Sequence, residues 1–177
     1  SSFADLPGTL VVDEDEIVEK QVVSGVTYAP DEDKITLLRV ADRPGVAAAI
    51  FGSLADAGIN VDMIVQNVSY DGKSTDLTFT IGRADLDRAM ALLLDRQEAI
   101  GFKKLVPDKN VVKVSVVGVG MRSHTGVARA MFQALADKNI NIQVISTSEI
   151  KVSVLIAAEY TELAVRTLHS AFQLDAA

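Results

Sequence analysis

GVAAAIFGSLADAGINV, residues 45–61, and GVARAMFQALADKNINI, residues 126–142, agree at ten of seventeen positions when laid over one another at an offset of 126 − 45 = 81. A match this dense inside one chain reads as a single supersecondary unit written twice. In the first copy Val46, Ile50, Leu54 and Ala57 fall at helical spacing, with Pro44 starting the helix and Gly58 ending it.

Outward from these helices the same order of elements appears twice. KITLLRV (34–40) reads as a strand ahead of the first helix, and VDMIVQNVS (61–69) and STDLTFTI (74–81) follow it as strands joined at Asp71-Gly72. ADLDRAMALLLDRQEAI (84–100) is helical and GFKKLV (101–106) is strand-like, which completes βαββαβ. The second copy reads VVKVSVVG (111–118), TGVARAMFQALADK (125–138), INIQVIST (140–147), EIKVSVLIA (149–157) and EYTELAVRTLHSAFQ (159–173). Its first strand aligns at an offset of 113 − 34 = 79, Lys34 on Lys113, so its loop is two residues longer. Tight connections between successive strands imply antiparallel sheets, and the fold class is α+β. The second copy runs out after its second helix and lacks one strand. EKQVVSGVTYAP (19–30) is strand-like and surplus to the first copy, so it is expected to supply that strand. The units are then 31–107, inserted, and 19–30 plus 108–177, with 1–18 as a tail.

The stretch VVGVGMRSHTGVARAMF (116–132) looks at first like a phosphate-cradling loop. Gly118 and Gly120 have no glycine counterparts in RVADRPG of the first copy, whereas Gly45 and Gly126 correspond. A dinucleotide fold also needs parallel crossovers, and no Gly-Lys-Ser/Thr is present for a P-loop. The two loops instead share a physical feature: each delivers a strand end into a helix N-terminus, where free N–H groups favour an anion, a carboxylate as readily as a phosphate. Glycine there either lets a ligand approach the backbone or merely eases the turn.

Composition narrows the classes of function. The 177 residues are 49% hydrophobic, contain no cysteine and carry a formal charge of −7. A disulfide framework and a thiolate metal site are excluded, and the charge opposes nucleic acid and anionic membranes. No apolar run reaches membrane-spanning length, and SSFADLPGTL lacks the regions of a signal peptide, so a cytoplasmic chain is expected. An RNA-binding sheet would need aromatics on its central strands, but these read TLLRV, VSVVG, DMIVQ and QVIST. With two histidines, His124 and His169, no metal site is expected, and no catalytic constellation emerges.

The segments SHTGVA, NVDMIVQNVS and STSEIKVSVLI, within a match that runs from about Val22 to Leu174, resemble the tandem ACT domains at the regulatory end of aspartate kinases. The resemblance implies two ferredoxin-like βαββαβ ACT domains with antiparallel sheets and helices on one face. The leading SSFADLPGT is similar to the handover from the kinase domain, so the chain is expected to be a regulatory fragment. ATP and Mg would belong to the missing kinase domain, leaving no cofactor here. Feedback control of aspartate phosphorylation by lysine, threonine or both is implied. The partners would be a kinase domain or catalytic subunit and a second copy in a homodimer. An ACT-type dimerisation module with no kinase attached is the other reading.

The resemblance also implies effector sites. One would use Asp42, Arg43, Pro44, Gly45, Val46, Ala47 and Gln66, facing Asn141 and Ile142. The other would use Met121, Ser123, His124, Thr125 and Gly126, facing Asn60, Val61 and Asp62. Thr147, Ser148 and Glu149 are candidates for a subunit or effector contact. Backbone N–H groups would receive the ligand carboxylate, and carbonyls with Asp42, Asp62 or Gln66 would receive its ammonium. From the residues alone, Asp42 also suits a helix cap, Asn60 and Asn141 suit turns, His124 suits a loop or cap, and 146–149 suit a polar hairpin.

Overall fold

The computed structural model describes residues 22–121 and 125–174. The expectations for the tail 1–18 and for Ser123 and His124 lie outside the described residues. The first sheet holds β2 (Glu32–Ala41), β3 (Val61–Val68), β4 (Ser74–Gly82) and β5 (Lys104–Asp108) in the order β3-β4-β2-β5. The second holds β1 (Val23–Ala29), β6 (Val111–Gly118), β7 (Val144–Thr147) and β8 (Lys151–Ala157) in the order β1-β6-β8-β7. Every neighbouring pair is antiparallel. β1 precedes the first sheet in sequence but pairs with β6, placing Val26 opposite Val116 and Tyr28 opposite Val114.

Each sheet carries helices on one face, and period-two alternation on the strands selects what they cover. In the first unit, Ile35 and Leu37 of β2 and Leu77, Phe79 and Ile81 of β4 meet α1 (Val46–Asp56) and α2 (Leu86–Asp95). In the second, Val112, Val114 and Val116 of β6 and Val152, Val154 and Ile156 of β8 meet α4 (Thr125–Asp137) and α5 (Thr161–Ala171). Val46, Ile50 and Leu54 are buried on α1, and 81 residues on Val127, Met131 and Leu135 are buried on α4. The written repeat is therefore a repeat of core positions, each large side chain contributing about 1.5–3 kcal/mol through burial. This is the ferredoxin-like α+β arrangement in duplicate.

Two elements differ from their sequence patterns. The helical run 84–100 is divided: a 3-10 turn (Arg83–Asp85), α2, and a short α3 (Gln97–Ile100). The break falls at Arg96, whose guanidinium reaches across to Ser53 Oγ of α1 at 2.7 Å. The strand expected over 140–147 pairs only at Val144–Thr147, because Ile140 is still engaged in ending α4. Its N–H bonds the Leu135 carbonyl at 3.0 Å and its side chain joins the core.

The faces without helices meet each other. Met63 and Val65 of β3 pack with Val111, Val144 and Leu155 of the second sheet in a third apolar cluster. β3 carries a bulge between Asp62 and Val65, with Met63 at φ 45°. A left-handed non-glycine residue costs about 1–2 kcal/mol; burial of the Met63 side chain between the sheets offsets it.

Candidate functional site

The loop after β2 turns into α1 at Gly45, whose φ of 89° is left-handed and suits a residue without Cβ. No side chain caps the helix and no acidic residue stands in its first turn. Its N–H groups thus present an uncompensated positive end beside exposed Asp42, Pro44 and Ala47, while Val46 points into the core. Arg43 takes a supporting part: its guanidinium donates to the carbonyls of Ala99 at 2.8 Å and Ile100 at 3.4 Å, the end of α3. That bond ties the loop to its own unit and compensates a helix C-terminus.

Gln66 lies opposite Leu77 and donates from Nε2 to Thr75 Oγ1 at 3.3 Å. Thr75 is buried and stands opposite Val40, near the end of β2, so Gln66 is directed along the helix-covered side toward the first loop. Ile142 is elsewhere. With Val65, Asn67, Thr78 and Val144 it lines a cleft of about 340 Å³ on the side where the two sheets meet. Within one chain, then, Gln66 lies on the helix-covered face of the first sheet, and exposed Asn141 with Ile142 lies across the thickness of that sheet.

In the second unit Met121 is buried in the core, and its N–H donates to the Glu149 carbonyl at 2.9 Å. This contact brings the hairpin Thr147–Glu149 against the second loop. Ser148 Oγ accepts the N–H of Lys151 at 3.2 Å, and the Ser148 N–H meets the Lys151 carbonyl at 2.8 Å, so the segment is a polar turn between β7 and β8. Thr125 is exposed and Gly126 half-buried at the start of α4.

The G-x-G of this loop has a structural explanation. A Cβ on Gly118 would fall 2.0 Å from the Val22 carbonyl oxygen, so the glycine admits the chain entering β1. Gly120 has φ 67° and turns the backbone. The space a phosphate cradle would need above Gly118 is filled by the protein's own backbone. Among the described residues, no group of three or more His, Asp or Glu side chains is placed to hold a metal. No described helix is long and apolar enough to cross a membrane.

Asp62 and its neighbours form an ionic cluster between the units that the motifs did not reveal. Asp62 Oδ1 accepts the Met63 N–H at 2.8 Å and Oδ2 pairs with Lys113. The same ammonium lies 3.2 Å from Glu32 Oε1. Burial opposes the charge on Asp62, but the Lys113 hydrogen bond, the Met63 N–H and the charges of Lys113 and Lys151 hold its carboxyl below the usual range. Burial likewise opposes the charge on Lys113, and the bonds and charges of Asp62 and Glu32 outweigh it, raising its pKa. The repeat-related Lys34 donates to Gln143 Oε1 at 2.7 Å. Gln143 occupies the position of Asp62, since 62 + 81 = 143, so the two contacts are pseudo-twofold mates with different chemistry. A signal for them existed in the superposition of Lys34 on Lys113.

Comparison with known proteins agrees with this architecture. Models of the ACT domain match residues 34–96 and 114–172. An aspartate kinase of Pseudomonas fluorescens is 54% identical over 176 residues, 99% of this chain and 42% of that protein. An aspartokinase of Corynebacterium glutamicum is 47% identical over 98% of this chain and 42% of its own length. The chain thus spans less than half the length of these relatives. Among solved structures, one of aspartokinase alpha and beta subunits is 50% identical, with a TM-score of 0.79, covering 85% of this chain and 99% of that one. The ligand-free regulatory subunit of aspartate kinase from Thermus thermophilus is 40% identical with a TM-score of 0.81, over 85% of this chain and 99% of its own. Two ACT units of this kind, matched along nearly all of a regulatory subunit, place the chain in the aspartate kinase family as its tandem ACT-domain regulatory part.

Proposed function

We propose that the chain is an amino-acid sensor that binds lysine, threonine or both and thereby lowers aspartate phosphorylation by a kinase domain joined to it or assembled with it. The observation that carries this reading is the N-terminus of α1, open and with neither a side-chain cap nor an acidic residue in its first turn, following the strand whose Val40 stands opposite Thr75, the partner of Gln66. A zwitterion suits it: the carboxylate takes backbone N–H groups, and the ammonium takes carbonyls and a nearby oxygen acceptor. ATP and Mg²⁺ are assigned to the kinase part, a reading supported by the Val22 backbone that fills the space over Gly118.

The domain division that goes with this reading is 31–107 inserted into 19–30 plus 108–177. Because Asn141 and Ile142 lie across the first sheet from the first loop, a second copy completes the site by lending its 141–142 segment to the 42–47 loop and Gln66. Reciprocally, Asn60, Val61 and Asp62 of one copy face Met121 and Ser123 to Gly126 of the other. Such a homodimer is supported by the exposed edge strands, where Ile64 of β3 and Ile145 of β7 are 53% and 46% exposed. A cytoplasmic setting fits a partner that uses ATP.

An effector bound at such a joint acts by preferring one arrangement of the units, and a tenfold response needs about 1.4 kcal/mol of preference. Calorimetric titration tests the proposal. Heat with lysine or threonine and none with unrelated amino acids is expected. Silence with both, or an equal response to unrelated amino acids, rejects it.

A further inference from the structure

We propose that Lys113 is an internal stand-in for the effector's ammonium: without ligand it occupies Asp62, and an amino acid arriving at Asp62 displaces it toward Glu32. The inference rests on the effector reading above and deepens it by naming the positioning residue through which that site reaches the joint between units.

Three observations carry it. Asp62 already holds the Lys113 ammonium, yet its side chain is 49% exposed, so a second cation can approach from solvent. Lys113, by contrast, is 13% exposed and cannot simply leave for water without losing its packing. An alternative seat stands next to it. Glu32 Oε1 is 3.2 Å from the Lys113 ammonium, and Glu32 Oε2 is buried with no hydrogen-bond partner among the described residues. An unpaired buried carboxylate oxygen is costly, so a shift of Lys113 toward Glu32 recovers part of what is lost at Asp62.

The consequence reaches the contact between the sheets. The other oxygen of Asp62 caps the N–H of Met63, the residue at φ 45°, and the Met63 side chain lies in the inter-unit cluster with Val111, two residues before Lys113. A ligand that draws on Asp62 therefore loads the bulge and the strand facing it together. That is a discrete two-position element able to couple a site to a joint. The pseudo-twofold mate lacks this device. Lys34 donates to a neutral amide, Gln143, at 2.7 Å, and its carboxylate neighbour Asp108 stands farther off at 3.9 Å, on its own sheet rather than across the joint.

Calorimetry on the full chain, with L-lysine and separately L-threonine as probes, tests the competition. Lys113→Met is expected to bind the responding amino acid roughly tenfold more tightly, because the competitor is gone. Glu32→Gln is expected to bind it several-fold more weakly, because Lys113 then depends on Asp62 alone. General damage would not move the two variants in opposite directions. If Lys113→Met does not fold, as circular dichroism would show, Glu32→Gln decides alone: unchanged or tighter binding overturns the proposal. Wild-type binding that neither variant changes, or that both weaken, overturns it while leaving the effector reading intact. No heat from the wild type with either probe removes the effector reading and this inference with it.

Discussion

Asp33 has no exposed surface, and Arg83 is what keeps its charge tolerable inside the protein. Arg83 Nε donates to Asp33 Oδ1 at 3.0 Å, while Oδ2 has no partner among the described residues. Arg83 is itself half exposed, so removing it leaves a buried carboxylate without its partner at a cost of about 1–3 kcal/mol. Arg83→Met should therefore lower the unfolding free energy from urea titration by that amount, and adding Asp33→Leu should recover a large part of it. A single variant that melts like the wild type would show that Asp33 is solvated. Nothing in the run Asp31, Glu32, Asp33 marks which carboxylate is buried, since its partner lies fifty residues away in sequence. The same holds for Asp62. Its place in VDMIVQNVS was legible, but its bond to Lys113 joins two units and leaves no local pattern.

At the level of elements, β1 is the most exposed to a single change. It is an edge strand of the second sheet, joined through β6, and it enters that sheet over Gly118. Gly118→Val would drive a branched side chain into the Val22 carbonyl, and overpacking of that kind costs about 1–3 kcal/mol. Hydrogen exchange should quicken across 23–29 while β2–β4 keep their protection. Equal protection in β1 of the variant would refute the assignment of that glycine. The helices and their buried stripes were readable because 3.6-residue periodicity is a local property. The break at Arg96 and the shortened β7 were not, because both depend on contacts with other elements: Ser53 of α1 in one case and Leu135 of α4 in the other.

Over the whole molecule, two sheets meet through Met63, Val65, Val111, Val144 and Leu155, ringed by Lys34–Gln143 and Lys113–Asp62. Their outer strands β3 and β7 remain edges, each with an exposed isoleucine at a matching place in the repeat. Charge on such an edge opposes strand pairing. In the proposed homodimer, Ile64→Lys should shift sedimentation from dimer toward monomer and weaken the proposed amino-acid binding in parallel. Loss of the dimer with binding unchanged would place the whole effector site within one chain.

The duplicated unit, its βαββαβ order, the two helix-entry loops and a surplus strand, observed at Val23–Ala29, could all be written down from one-dimensional information. Each rests on periodicity, turn chemistry or internal repetition, which short stretches of chain carry without help. Which faces of the two sheets touch, that Ile142 sits across a sheet from the first loop, and that Lys113 holds Asp62 became visible with the folded chain. These depend on how two packed layers are set against one another, and that choice is made by side chains far apart in sequence that share one buried, water-poor space.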